Sequence, residues 1–192
     1  MRIIAGKFRS QPITAPKGWD TRPTSDRLRE TLFNVLAARI EGAVFADLFA
    51  GTGAVGIEAL SRGAGHVYFV ENSRVALAAL RSNLGRFPVA SLCSVEEGGT
   101  LPLLRRLAKQ KVTLDVVFLD PPYRDAASYS DTLELLGGIA LLSEGATVVA
   151  EHSRRIPLAA RYGRLIQYRS LKQGEACLSF FSIAPKELTP NA

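Results

Sequence analysis

Leu114-Asp115-Val116-Val117-Phe118-Leu119-Asp120-Pro121-Pro122-Tyr123-Arg124 is the stretch from which the fold is read. Leu114 to Leu119 is a short apolar run, rich in β-branched and aromatic residues, that stops at two prolines, the pattern of a buried parallel strand. Beyond it, Pro121 and Pro122 have fixed φ and no N–H to donate. What remains there is a carboxylate, two carbonyl acceptors and an aromatic ring, held in one small arc. Such an arc suits an exocyclic –NH2 on a flat base, whose hydrogens the acceptors take while the ring stacks on its face. The same four residues also make an ordinary turn after a strand, with Asp and Pro present for turn chemistry alone. Their position at the carboxyl end of a buried strand, where open α/β sheets bind ligands, favours function.

Working outward, strands and helices alternate. Val44 to Phe49 reads as a strand, followed by the loop Ala50-Gly51-Thr52-Gly53 and a helix from Ala54 to about Arg62. Strand His66–Val70, the acidic Glu71 and a helix from Ser73 to about Arg86 come next, with Val75, Leu77, Leu80 and Leu84 inward. Val89–Val95 is the expected third strand, Leu101–Lys109 a helix, Tyr129–Leu136 a helix and Ala146–Glu151 a fifth strand. Arg164–Leu171 and Ala176–Ile183 read as an antiparallel hairpin, and Pro185 to Ala192 as a frayed end. The alternation predicts a doubly wound, mostly parallel α/β sheet. Residues 1–22, punctuated by Gly6, Pro12, Pro16 and Gly18, read as a basic arm or strand pair, with Trp19 a core-packing pin at its end and residues 23–192 the main domain.

The first helix opens at Pro23 with Thr24 or Ser25, and Leu28, Leu32, Val35 and Leu36 make its apolar stripe. Arg27 and Arg29 lie off that stripe, near the positive helix end, where the dipole disfavours a cation; both are therefore expected to face an anion. Residues 1–39 carry eight Lys/Arg against three acids, which concentrates +5 of the net charge of +6 in one terminal fifth. A solvated basic face explains this as well, but the crowding favours a nucleic acid partner.

Gly51-Thr52-Gly53-Ala54-Val55-Gly56 satisfies G-x-G-x-x-G, and Glu71 follows Gly51 at dinucleotide-site spacing, so a nicotinamide enzyme is a rival reading. Against it, Asp47 at the strand end would repel a pyrophosphate but pair with the ammonium of an amino-acid moiety. The 192 residues also leave no second domain for a hydride acceptor. A hydrophobic content of 47% excludes a disordered chain, and no apolar run approaches the ~20 residues of a membrane span. Cys93 and Cys177 lack motif spacing and read as reduced core thiols, and with only His66 and His152 besides, a metal site has little to build from. A cytoplasmic protein without a metal is expected.

Asp120-Pro121-Pro122-Tyr123 resembles the [Asp/Asn/Ser]-Pro-Pro-[Tyr/Phe/Trp] motif of S-adenosylmethionine-dependent amino-group methyltransferases. Arg22-Pro23-Thr24-Ser25-Asp26-Arg27-Leu28-Arg29-Glu30 and Asp47-Leu48-Phe49-Ala50-Gly51-Thr52-Gly53 narrow the resemblance to the RsmD-type enzymes, which methylate guanine N2 in bacterial small-subunit (16S) ribosomal RNA. The resemblance covers nearly the whole chain. It implies a seven-stranded Rossmann-like sheet closed by the hairpin. It implies S-adenosylmethionine held by Asp47, Phe49, Ala50, Gly51, Thr52, Gly53, Glu71 and Asn72, with Glu71 on the ribose and Glu96 or Glu97 on the adenine edge. Asp120, Pro121, Pro122 and Tyr123 would carry the chemistry, and Lys7, Arg9, Arg22, Arg27 and Arg29 would hold RNA. The implied substrate is an assembling 30S particle and the protein a monomer. The motif also serves adenine N6 in DNA or RNA, and a cofactor-free RNA-binding module of the same fold is the non-enzymatic alternative.

Overall fold

A computed structural model describes residues 1–16, 25–122 and 124–184. Within it lie β1 (Val44–Asp47), β2 (His66–Val70), β3 (Cys93–Glu96), β4 (Leu114–Leu119), β5 (Leu142–Ser153), β6 (Arg161–Tyr162), β7 (Leu165–Gln173) and β8 (Ala176–Ile183). The helices are α1 (Asp26–Leu36), α2 (Ala54–Ser61), α3 (Arg74–Leu84), α4 (Thr100–Lys109) and α5 (Ala126–Gly138). The strands form one sheet in the order β3-β2-β1-β4-β5-β8-β7-β6. β1 to β5 run parallel, and β8, β7 and β6 close the sheet antiparallel.

β4 sits in the middle because both its faces are apolar: Val116 and Phe118 point into one core, Val117 and Leu119 into the other. The first core lies beneath α1, α2 and α3, the second beneath α4 and α5. Strand order reverses between β1 and β4, so the carboxyl ends of these two neighbours open a crevice.

The architecture is the expected one, with eight strands instead of seven because the two-residue β6 adds an edge. Element ends moved for local reasons. β3 starts at Cys93, because Ala90–Leu92 winds into a 3-10 turn after the buried Val89. α5 starts at Ala126, where the Asp125 carboxylate accepts the Ser128 N–H at 3.1 Å; this cap precedes any apolar periodicity. Ser25 caps α1 by accepting the Leu28 N–H at 3.2 Å. Val75 is 58% exposed and not inward, since Ala76, Leu77 and Leu80 already fill the buried face of α3. Lys17, Trp19, Arg22, Pro23 and Thr24 lie outside the described residues, as do Tyr123 and the segment after Ala184.

The arm is docked on the domain. An Arg2–Pro12 bridge pairs its two halves, and Ile3 and Ile13 enter the first core. Its backbone is held by α2: Ile4 and Ala5 donate to the Glu58 carboxylate at 2.7 and 3.0 Å, and Lys7 donates to the Ser61 carbonyl at 2.7 Å. Glu58 is fully buried, so these donors, together with Arg62 Nε at 2.7 Å, offset the cost of removing its charge from water.

Candidate active site

Two chain segments meet at the crevice. Asp47 and Phe118 are register partners, and the Leu48 N–H donates to the Phe118 carbonyl at 3.0 Å. The loop after β1 and the Asp120-Pro121-Pro122 corner after β4 are therefore neighbours at the same end of the sheet. Pro121 is buried and Asp120 half-buried. The corner is braced from behind by the buried Tyr129 of α5, whose hydroxyl lies 3.1 Å from the Pro121 carbonyl and 2.8 Å from that of Glu151. A hydroxyl has one proton and a carbonyl two lone pairs, so the Pro121 oxygen keeps acceptor capacity toward the crevice.

The glycine loop is braced in turn. Asp47 is 1% exposed, and its Oδ2 accepts the Gly56 N–H at 2.9 Å. This bond ties the strand end to the first turn of α2 behind the glycine loop. Burial, with the neighbouring Glu71 charge adding to it, pushes the Asp47 carboxyl up to about 7, against the pull of the Gly56 N–H. Gly56 is required here because a Cβ would overlap the Phe69 ring on β2. Asn83 of α3, buried, donates to the Thr52 and Thr14 carbonyls at 3.0 Å each and so couples the loop to the arm. Nothing in its sequence context marks it.

Glu71 stands at the end of β2. Its carboxylate accepts N–H bonds from Gly51 at 2.8 Å, Asn72 at 2.9 Å and Ser73 at 2.8 Å. Beside it opens a cavity of about 230 Å³, lined on one side by Phe49, Glu71 and Asn72 and on the other by Gly99 to Pro102 and α5. That is below the ~300–1,000 Å³ of pockets for whole drug-sized ligands, and its lining mixes apolar Leu48, Phe49, Val70 and Pro102 with polar Glu71, Asn72 and Thr100. Thr100, whose hydroxyl donates to the Leu48 carbonyl at 2.9 Å, fixes the far wall.

Glu96 and Glu97 do not line this cavity. Glu97 is paired with Arg81, and Glu96 accepts the Gly98 N–H at 3.0 Å and pairs with Arg106. Burial alone would raise the Glu96 carboxyl; Gly98 and Arg106 hold it below its ordinary range. Both carboxylates of the expected adenine edge are therefore engaged by arginines and lie outside the cavity's lining.

Among the expected RNA-binding residues, Lys7, Arg9 and Arg27 are exposed. Lys7 and Arg9 sit at the arm's turn against Ser61, the end of α2 opposite its loop, so the structure does not bring them to Asp120. Arg29 is corrected outright: it is fully buried, donating to Arg2 O and to Asp26 at 3.1 Å, with its Nε 4.0 Å from Glu58. It neutralises a buried carboxylate and faces no solvent anion; burial lowers its pKa against the pull of Asp26 and Glu58.

The family model described as Conserved hypothetical protein 95 matches residues 1–182. The YlbH protein of Bacillus subtilis is 34% identical over 174 residues, spanning 91% of this chain and 94% of its own. The Escherichia coli Ribosomal RNA small subunit methyltransferase D is 36% identical over 151 residues, 79% of this chain and 74% of that one. The chain belongs to the RsmD-type methyltransferase family. Family membership agrees with the structure of the Escherichia coli protein yhhF, which superposes with a TM-score of 0.80 at 33% identity, covering 95% of this chain and 97% of its own. A Salinibacter ruber RNA methyltransferase solved with S-adenosyl-L-homocysteine shares the fold at 19% identity and a TM-score of 0.64, covering 88% of this chain and 98% of its own. In this RsmD-type chain no described helix is long and apolar enough to cross a membrane.

Proposed function

We propose that the protein transfers the methyl group of S-adenosylmethionine to the exocyclic N2 of a guanine in small-subunit ribosomal RNA. The observation that carries this is the juxtaposition at the switch point: an acceptor-rich corner whose two prolines offer no N–H, beside a glycine loop and a cavity of about 230 Å³. The name of the Escherichia coli relative supports small-subunit rRNA as the substrate, and the ligand of the Salinibacter ruber relative supports the cofactor. An assembling 30S particle as substrate, and a monomeric enzyme, complete this reading.

S-adenosylmethionine supplies an electrophilic methyl group on a sulfonium. Guanine N2 is a poor nucleophile because its lone pair is delocalised into the ring. Asp120 and the Pro121 carbonyl accept its two N–H hydrogens, which turns the nitrogen lone pair toward the donor. Tyr123 would stack on the extruded base. The rigid prolines hold both acceptors in place before the base arrives, so orientation and a field set against developing positive charge carry most of the rate. Asp120 need not be a strong base beforehand, since the product ammonium is acidic.

Purified protein is incubated with small subunits lacking the modification, and the RNA is mapped by mass spectrometry. N2-methylguanosine is expected at one position. Asp120→Ala should lose methyl transfer by at least ~10³-fold while keeping S-adenosylhomocysteine affinity within a few-fold. Methylation of adenine would overturn the guanine reading, and loss of cofactor binding in the variant would make Asp120 structural.

A further inference from the structure

With Glu96 and Glu97 tied to Arg106 and Arg81, the cavity beside Glu71 needs another acceptor for the amino edge of adenine. That edge presents an N6–H donor next to the N1 acceptor. A donor for N1 is at hand, because the first N–H groups of α4, at Thr100 and Leu101, have no acceptor within their helix. The acceptors on the lining are few. Glu71 already takes three N–H bonds and keeps about one lone pair, enough for a ribose hydroxyl. The Thr100 and Ser128 hydroxyls give their protons to Leu48 O and the Asp125 carboxylate, which leaves each oxygen a neutral acceptor, weaker toward an N–H than a carboxylate. Asn72, next to Glu71 in the chain, also lines the cavity and offers a neutral amide oxygen, a weaker acceptor than a carboxylate. One more carboxylate lines the cavity: Asp131 of α5, exposed and engaged in no ion pair among the described residues.

We propose that Asp131 accepts the N6–H of adenine, so that α5 supplies from the opposite wall the acceptor otherwise expected after β3. This rests on the reading of the cavity as the adenosine site of S-adenosylmethionine. The plainer role for Asp131 is to complement the positive end of α4, which would stabilise the fold without reading the base.

The two are separated by calorimetry on the full chain with S-adenosylhomocysteine and with S-inosylhomocysteine, whose C6 carbonyl replaces the amine. Wild-type protein should prefer the adenosyl compound, since a carboxylate repels a carbonyl oxygen. Asp131→Ala should weaken S-adenosylhomocysteine by about tenfold or more, the range of a charge-assisted hydrogen bond, and should bind the inosyl compound better than wild type does, because the repulsion is gone. Asp131→Asn, whose amide can accept or donate, should narrow the preference while binding both. Melting temperatures of the variants verify that the fold persists. Equal losses for both ligands, or no loss for either, would overturn the proposal. So would a preference removed by Glu96→Gln or Asn72→Ala and untouched at Asp131. Wild-type protein that binds neither ligand would remove the cofactor reading itself, a different result from any of these.

Discussion

Asp47 combines a buried carboxyl with a backbone brace, and its titration gives a test at the residue scale. Its folded pKa is raised from 3.8 to about 7, so the folded chain holds a proton that the unfolded chain has released. Stability therefore falls as pH rises between those values and levels off above them. Asp47→Asn retains an oxygen for the Gly56 N–H and removes the titration. We expect the variant to melt several degrees above wild type near pH 8, with the gap closing toward pH 4; the ceiling is on the order of 4 kcal/mol. A gap independent of pH would show that Asp47 is not the titrating group. Residues of this kind were half-legible from sequence. Asp47 and Glu71 stand out by their spacing to the glycines, and Arg29, on the opposite side of α1 from Arg27, shares the buried face with Leu32 and Phe33. What local pattern does not announce is its partner Glu58, in another helix.

At the scale of elements, the alternation of strands and helices was readable because each parallel strand carries its own apolar run and most crossover helices their own stripe. Element ends were not, since they depend on single caps such as Asp125 and on the 3-10 turn before β3. The arm is the clearest case of hidden tertiary control. Gly6 and Pro12 mark its turns, yet Glu58 looks like a solvent-facing acid until the arm is laid across it. Gly6 has φ +82°, and a Cβ there would overlap the Ser61 carbonyl, so Gly6→Ala must lift the turn from α2. Lys7 and Arg9 flank the lifted bond. Native-state trypsin cleavage after them should accelerate at least ~10-fold in the variant, with cleavage in the sheet unchanged. Unchanged cleavage at the arm would mean that the turn is not its anchor.

For the molecule as a whole, the charge map differs from the one a running count suggests. Residues 152–175 hold Arg154, Arg155, Arg161, Arg164, Arg169 and Lys172 against Glu175, a second basic stretch masked in the totals by acids elsewhere. Folding splits it. Arg164 binds the Gly137 and Ile139 carbonyls at the far end of the sheet. The β7–β8 turn returns beside the end of β5, where Arg154 donates to Glu175 O at 2.8 Å, and Thr31 of α1 reaches Gln173 at 3.3 Å. Exposed Arg27, Arg154 and Lys172 thereby lie toward the carboxyl end of the parallel strands, while Lys7 and Arg9 sit against the last residue of α2. On the proposed function, RNA is expected to reach the crevice past the first group and not the second. If those three cations each neutralise a phosphate, log affinity should fall with log salt at a slope of about −2. Arg154→Glu with Lys172→Glu should weaken RNA binding and flatten that slope by more than half, leaving S-adenosylhomocysteine affinity intact. Lys7→Glu with Arg9→Glu should cost less. The reverse ranking would put the RNA path along the arm and away from the hairpin.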